Sequence, residues 1–344
     1  MSPQRTAEAV DDARTALDTR RARTGTSIAL IRYPRLKELH EAIQLCATLS
    51  EVAGEPQCMA LMGVTGAGKS TVARTYSLAF PRSETPHGAR IPVVYLETPA
   101  PATIKSVAAA ALRQMGDPRA IHGTLWSMDA RLTHYLRECQ VRLVIMDDFH
   151  HLFDDETQAA LGTVSNWLKV LIKESNVPFL VVGLEDKIRL ILRANPQLSR
   201  LFAMRETLQP LAWDPAQAET LVAFSKFVQY AEQAIGLPLS DELSRAEWLH
   251  RLHFATGGVV GHIINLMRQA MVLSQAAEPA ATALTLRWVS LAFRQRLQED
   301  WPQRADPFGP AVGPEFAPPA EPAPVAAKPR SKTGQRLTEV LSTR

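Results

Sequence analysis

Cysteine is scarce in this chain. There are three in 344 residues, Cys46, Cys58 and Cys139, an odd number with no close spacing. That excludes a disulfide framework and a cysteine-based zinc site. Cys58 and Cys139 lie in or beside apolar segments and read as packed thiols. Long apolar runs are missing as well. No segment approaches the ~18 apolar residues of a membrane span. Met1 to Thr24 is polar, carries acidic residues and lacks the apolar stretch of a secretory signal. The expectation is a soluble, cytoplasmic protein with no membrane partner. An excess of one charge is also absent, since 38 Lys and Arg face 35 Asp and Glu, a formal net charge of +3. Residues 325–344 carry Lys328, Arg330, Lys332, Arg336 and Arg344 against Glu339 alone, a net +4, which leaves the rest near −1. Bulk electrostatics therefore does not announce a polycation, and any nucleic-acid contact must use a local patch.

What is present is an apolar fraction of 46%, enough for a sizeable core, in a length that suits two domains or one with appendages. The most informative stretch is Gly63-Val64-Thr65-Gly66-Ala67-Gly68-Lys69-Ser70, a complete G-x-x-x-x-G-K-S phosphate loop. An apolar run, Cys58 to Met62, precedes it as a buried strand. Ser70 to Tyr76 follows and opens a helix. The glycines permit positive φ and close approach of backbone to a polyphosphate. The freed N–H groups and the helix start then offer fixed positive potential. ATP or GTP is the expected ligand, held by Gly63, Thr65, Gly66, Ala67, Gly68, Lys69, Ser70 and Thr71. Lys69 reaches the β- and γ-phosphates, and Ser70 ligates Mg²⁺.

Further strands are predicted at 91–97, 141–147, 177–183 and 205–211. Helices are predicted before the first strand, at 36–46, and between the later ones, at 102–115, 125–139, 156–175 and 185–194. Apolar strands alternating with helices imply a parallel sheet covered on both faces. From Asp214 the strands stop, and helices are expected over 214–235, 239–253, 259–276 and 283–299. The division is an N-terminal arm (1–27), an αβα nucleotide-binding domain (28–211), a helical lid (212–300), and a Pro-rich linker with a basic tail (301–344). Nine prolines between 301 and 330 exclude regular structure there.

Asp147 ends the strand Leu143-Val144-Ile145-Met146 and is placed to hold Mg²⁺ through water. Asp148 follows where such ATPases often carry a Glu that polarises the attacking water. It is one methylene shorter, so either a water bridges the gap or turnover is slow. His150 and His151 come next. Adjacent residues rarely ligate one ion without a third donor nearby, so packing or loop hydrogen bonding is the preferred reading. The fourth strand ends Gly183-Leu184, without the polar residue that often senses a γ-phosphate there. Glu185 or Asp186 then remains to order the water. Arg200, with Arg205 as second choice, precedes the fifth strand. It is placed to stabilise transition-state charge on the nucleotide of an adjacent subunit. Thr256-Gly257-Gly258 enters a helix whose first turn has no Arg, which leaves His262 as the candidate basic sensor.

Five strands, a phosphate loop, Asp147-Asp148 and a helical lid resemble an AAA+ ATPase. Ile31-Arg32-Tyr33-Pro34-Arg35, Leu96-Glu97-Thr98-Pro99, Asp147-Asp148-Phe149-His150-His151, Gln197 to Phe202, Thr256-Gly257-Gly258 and Asp306-Pro307-Phe308 narrow this further. Together they resemble the TniB/TnsC transposition ATPases, relatives of MuB, over about residues 28–308. The resemblance implies an ATPase that uses ATP and Mg²⁺, with Tyr33 among the nucleotide contacts, and the departures at Asp148 and Leu184 point to slow hydrolysis. It implies self-assembly into a ring or helical filament on double-stranded DNA, and recruitment of a DDE transposase and a TniQ-like targeting protein. By the same resemblance, Lys105 and Thr124 fall on the channel-facing segments that touch DNA. Two other functions stay open: a helicase-loader or initiator-like DNA-remodelling ATPase, and a nucleotide-gated scaffold with negligible hydrolysis.

Overall fold

The computed structural model describes residues 31–86, 88–99, 102–154, 157–277, 282–299 and 305–309. The arm at 1–27 and the basic tail lie outside the described residues, as does most of the Pro-rich segment. The fold grows from β1 (Met59–Gly63), in which all five residues are buried. Its side chains alternate between two cores, as a period of two requires. Ala60 and Met62 enter one, Met59 and Leu61 the other. The same alternation holds in β5 (Leu143–Asp147) and β6 (Phe179–Gly183), where Val144, Met146, Phe179 and Val181 face the first core and Leu143, Ile145, Leu180 and Val182 the second. A strand buried on both faces has no polar side to show, which is why these segments read as unbroken apolar runs.

The main sheet has five parallel strands in the order β4-β5-β6-β1-β7, with β4 at Val93–Glu97 and β7 at Met204–Leu208. Helices α1 (Pro34–Ala53) and α2 (Lys69–Leu78) supply the core on one face. Helices α3 (Ile104–Met115), α4 (Leu125–Glu138), α5 (Gln158–Ser175) and α6 (Glu185–Ala194) supply the other. The short α7 (Pro196–Leu201) leads into β7. The predicted α/β class and five-stranded parallel sheet are therefore present. The strand that carries Asp147 does not adjoin the phosphate-loop strand, however, because β6 lies between them. Two strand spacings, roughly 9–10 Å, separate the two chain positions. That gap leaves room for a hydrated ion between loop and carboxylate.

Local differences have local causes. The second long strand starts at Val93 rather than 91 because Pro92 has no N–H to donate. Its carbonyl instead accepts from Arg142 N (2.9 Å). A small antiparallel hairpin, β2 (Ser83–Thr85) and β3 (Gly88–Arg90), was not foreseen. Its strands are three residues long and mostly exposed, so they carry no apolar period.

The second body is helical: α8 (Ala218–Ile235), α9 (Arg245–Thr256), α10 (Val260–Ala277) and α11 (Leu286–Arg296). The chain turns at 214–217 before α8 begins, with Gln217 N bonded to Asp214 O (2.9 Å). Ser244 caps α9 by accepting from Glu247 N (3.3 Å). Trp248, Phe224, Phe227 and Phe293 form the core of this body. Ile31 and Phe308, far from it in sequence, join the same core. Phe308, within the segment read as linker, is only 3% exposed. Arg251 Nη1 donates to Pro307 O (3.0 Å), and Arg294 pairs with Asp306 (2.9 Å). Among the described residues no helix is long and apolar enough to cross a membrane.

Phe308 thus anchors the chain where its composition alone suggests a free tether. Phe308→Ala is expected to destabilise the helical body by about 3–5 kcal/mol, read from its denaturant midpoint. A cost below about 1 kcal/mol would contradict the packing described.

Candidate nucleotide-binding site

Because the sheet is parallel, the C-terminal ends of β1, β5 and β6 open on one edge, where ligands of open α/β sheets sit. Gly63, at the end of β1, has φ 153°. A Cβ there would lie 2.4 Å from Leu208 O, so only glycine lets β7 run alongside. Gly66 (φ 78°) and Gly68 (φ 97°) bend the loop back into α2, whose start has no side-chain cap. Its first N–H groups are therefore not satisfied by a side chain. Thr65, Gly66, Ser70 and Thr71 are exposed at this mouth, whereas Ala67 and Lys69 are buried. Lys69, 7% exposed, donates from Nζ to Gly63 O (3.0 Å) and Val64 O (2.8 Å). Burial lowers its pKa, and the carboxylates of Asp148 and Asp147 act in the opposite direction.

Asp147 is 1% exposed, and each of its carboxylate oxygens accepts a hydrogen bond. Its Oδ2 accepts from Tyr95 OH (2.6 Å) and its Oδ1 from Asp148 N (3.0 Å). Its carbonyl accepts from Thr98 N (3.0 Å) and Thr98 Oγ1 (2.7 Å). Tyr95 stands on β4, in register with Ile145 of β5. Burial raises its pKa, and the bond to Asp147 adds to that shift. Arg74 of α2 lies over the Tyr95 ring, 5.6 Å from its centre, and pairs with Glu97 (3.1 Å). Sequence reasoning missed Tyr95, Thr98 and Arg74. The one signal available was a tyrosine inside an otherwise apolar strand. A carboxylate that only accepts hydrogen bonds, beside a loop with an exposed Ser70, fits a hard, oxygen-seeking ion such as Mg²⁺.

Asp148 adopts a left-handed conformation (φ 49°, ψ 37°) and starts the 3₁₀ turn Phe149–Phe153. Asp tolerates this region better than most residues, but it remains an uncommon position beside a candidate site. The turn carries His150 inward, 8% exposed, against β6. Its Nδ1 makes no hydrogen bond among the described residues and would lie 3.2 Å from a Cβ on Gly183. Burial depresses the His150 pKa, His151 adds to this, and Asp148 and Asp154 oppose it. Glu185 is occupied by Arg189 (2.8 Å) and Gln209 (3.3 Å), whereas Asp186 is exposed.

The helical body closes over the loop. Gly261 N donates to Gly66 O (2.8 Å), and a Cβ on Gly261 would lie 2.6 Å from that oxygen. A Cβ on Gly66 would meet Val259 Cγ1 at 3.1 Å and the His262 ring at 3.6 Å. His262 Nδ1 is buried without a hydrogen-bond partner among the described residues. Beside this seam lies a cavity of about 680 Å³, lined by Tyr33, Leu208, Leu211, Phe227, Tyr230 and Val260 among others. Val260 also lies 4.0 Å from a Cβ on Gly68, so cavity and phosphate loop are contiguous. Tyr33 packs edge-on against Phe227, with ring centres 5.2 Å apart. Mostly apolar walls with a few polar groups suit a flat heterocycle, with phosphates running toward Lys69.

The remaining candidates stand apart from this cleft's interior. Arg200 is exposed in the last turn of α7 and makes no ion pair or hydrogen bond among the described residues. Arg205 is committed locally, donating to Phe202 O (3.0 Å), Ser199 O (3.2 Å) and Ser199 Oγ (2.7 Å). Lys105 is exposed in the first turn of α3. Thr124 caps α4, with Oγ1 accepting from Ser127 N (3.3 Å). The loop before Thr124 is clamped by Arg131, which pairs with Asp117 (2.8 Å) and donates to the carbonyls of Arg119 and His122 (both 2.9 Å).

A family model described as Bacterial TniB protein matches residues 21–210. Among solved structures, the chain is similar to the Aeropyrum pernix ORC2 protein in ADPNP–ADP complexes. The TM-score is 0.55 at 15% identity, over 79% of this chain and 71% of that one. It is similar to Cdc6p from Pyrobaculum aerophilum (TM-score 0.55, 14% identity, 79% and 69% covered). It is also similar to the Aeropyrum pernix ORC1 protein in complex with DNA (TM-score 0.51, 15% identity, 79% and 67% covered). At these identities the likeness establishes the fold alone, a parallel-sheet αβα core followed by a helical region. None of the curated proteins matches the chain.

The Tyr95 contact yields a direct test. Tyr95→Phe keeps the ring and removes one hydrogen bond from a buried carboxylate, a contact worth about 1.5–3 kcal/mol. Nucleotide binding measured across a Mg²⁺ titration is expected to need on the order of tenfold more Mg²⁺. An unchanged Mg²⁺ dependence would show that Asp147 does not need this support.

Proposed function

The chain belongs to the TniB family, and we propose that it is an ATP-dependent regulator of DNA transposition that assembles on double-stranded target DNA. The observation that carries this reading is the seam itself: within a TniB-family chain, the helical body rests directly on the phosphate loop through Gly261 and Gly66. A triphosphate at that seam touches both bodies, so its presence sets how they sit. The adenine ring occupies the cavity beside Tyr33. Lys69 neutralises the β- and γ-phosphates, and Ser70 with Asp147 holds Mg²⁺. When bound, the ion draws charge from the phosphate oxygens. Asp148 orients the attacking water, across a longer gap than a Glu would leave, so turnover is slow. His262 reports the phosphate's state to the lid.

Assembly follows from what one protomer leaves uncommitted. Arg200 has no partner among the described residues and suits the γ-phosphate of an adjacent copy, whereas Arg205 is engaged in the α7–β7 connection. The ring or filament then presents Lys105 and Thr124 to the DNA backbone. Such contacts are sequence-tolerant and salt-sensitive. The assembled form recruits a DDE transposase and a TniQ-like targeting protein. A second reading, a helicase-loader or initiator-like ATPase, is favoured by the likeness to the ORC and Cdc6 folds. Stimulation of a transposase by the DNA-bound form supports the first reading. Delivery of a replicative helicase supports the second.

Two variants test the nucleotide's role. Lys69→Ala is expected to abolish both ATP binding and ATP-dependent co-sedimentation with duplex DNA. Normal co-sedimentation by that variant would refute the reading. Arg200→Ala is expected to lower turnover on the order of a hundredfold while the monomer's ATP affinity stays unchanged. An equal loss of affinity in the isolated monomer would show that Arg200 acts within its own site.

A further inference from the structure

The turn after Asp147 gathers more ligand chemistry than phosphate transfer uses. One donor atom from each of Asp148, His150 and His151 lies within 4.8 Å of the other two. Bonds of about 2.0–2.1 Å to a tetrahedral zinc ion put its ligands about 3.3 Å apart, so modest side-chain rotation closes the set. Neighbouring residues on a strand would point to opposite faces. Here the left-handed Asp148 and the 3₁₀ turn fold the chain back, with His151 N bonded to Asp148 O (3.1 Å). The two imidazole rings consequently stand 4.3 Å apart, tilted by 37°. The third donor, whose lack disfavours an adjacent histidine pair as a metal site, is Asp148.

Two further observations point to a ligand. His150 is more than nine-tenths buried, yet its Nδ1 has no hydrogen-bond partner among the described residues. A buried imidazole with an unmet nitrogen is costly unless something else engages the ring. His151 is held from behind: its Nδ1 lies 3.0 Å from Asp154 Oδ2. A carboxylate there makes Nδ1 the protonated nitrogen and leaves the Nε2 lone pair available, the arrangement that orients metal-bound histidines. Two imidazoles and a carboxylate suit a zinc-class ion, whereas Mg²⁺ prefers an all-oxygen shell.

We propose that Asp148, His150 and His151 form a binding site for a zinc-class divalent cation, and that its occupation withdraws Asp148 from the nucleotide and stops turnover. The first half stands on the cluster alone. The second rests on the ATPase reading above. Three protein ligands leave one coordination position for water. The site thereby couples availability of such a cation to the lifetime of the ATP-bound state.

The test uses the untagged, full-length, chelator-stripped chain without nucleotide. Co²⁺ serves as spectroscopic probe and Zn²⁺ as calorimetric ligand. The expected result is a single saturable equivalent with the visible absorption of tetrahedral cobalt, not displaced by excess Mg²⁺. His151→Ala is expected to remove that equivalent while keeping the wild-type melting temperature and basal turnover. Asp154→Asn is expected to weaken it about 10- to 100-fold. In turnover assays Zn²⁺ inhibits the wild type and spares His151→Ala. Equal binding by wild type and His151→Ala, or no saturable binding by either, overturns the site. Zinc inhibition that persists in His151→Ala overturns its regulatory role. A chain that binds cobalt as described but never hydrolyses ATP keeps the metal site and refutes the ATPase reading instead.

Discussion

One close contact organises the molecule. The carbonyl of Gly66, in the phosphate loop, receives the N–H of Gly261, in the first turn of α10. Gly261 tolerates no side chain here, since its Cβ would sit 2.6 Å from that oxygen. The contact places a helical body directly on the loop proposed to hold phosphate. Everything on the seam inherits this constraint. Val259 and His262 cover Gly66, and Val260 joins the loop to the apolar cavity beside Tyr33. A ligand that fills the seam therefore acts on two bodies at once, which is the mechanical requirement for a nucleotide-controlled switch.

The opposite wall is built to hold one charge still. Asp147 is buried, yet it accepts from Tyr95 and from the next backbone N–H, while its carbonyl is held by Thr98. A buried carboxylate survives only when so supplied with donors. Next to it the constraint relaxes. Asp148 sits in a strained turn, and His150 leaves a nitrogen unmet. Satisfied Asp147 and unsatisfied Asp148–His151 divide the edge into a fixed half and a responsive half. The first suits a hard ion that arrives with the nucleotide. The second suits a softer ion that arrives independently.

Much of this was legible in the sequence because it is local. The eight-residue loop, the apolar strands and the helix spacing each declare themselves within a short window. The place of Asp147 at a strand end was legible because a carboxylate closing an apolar run is a local pattern too. What escaped was non-local. That β6 separates β1 from β5 follows from crossover order, which no single window contains. Tyr95 meets Asp147 only because β4 and β5 pair in a particular register. Phe308 lies among prolines, and its burial depends on a core assembled elsewhere in the chain. The β2–β3 hairpin is too short and too exposed to leave a period. Asp148 was read as a catalytic acid and the histidines as packing. Their convergence required the left-handed turn, which residue types alone do not announce.

The central claim is that a triphosphate at the lid–loop seam joins one protomer to the next around a duplex. Electron microscopy of the purified chain with duplex DNA, Mg²⁺ and a non-hydrolysable ATP analogue tests it most directly. The account predicts ordered rings or helical filaments enclosing the DNA, absent when the analogue is left out. Particles that stay monomeric and off the DNA at saturating nucleotide would contradict it.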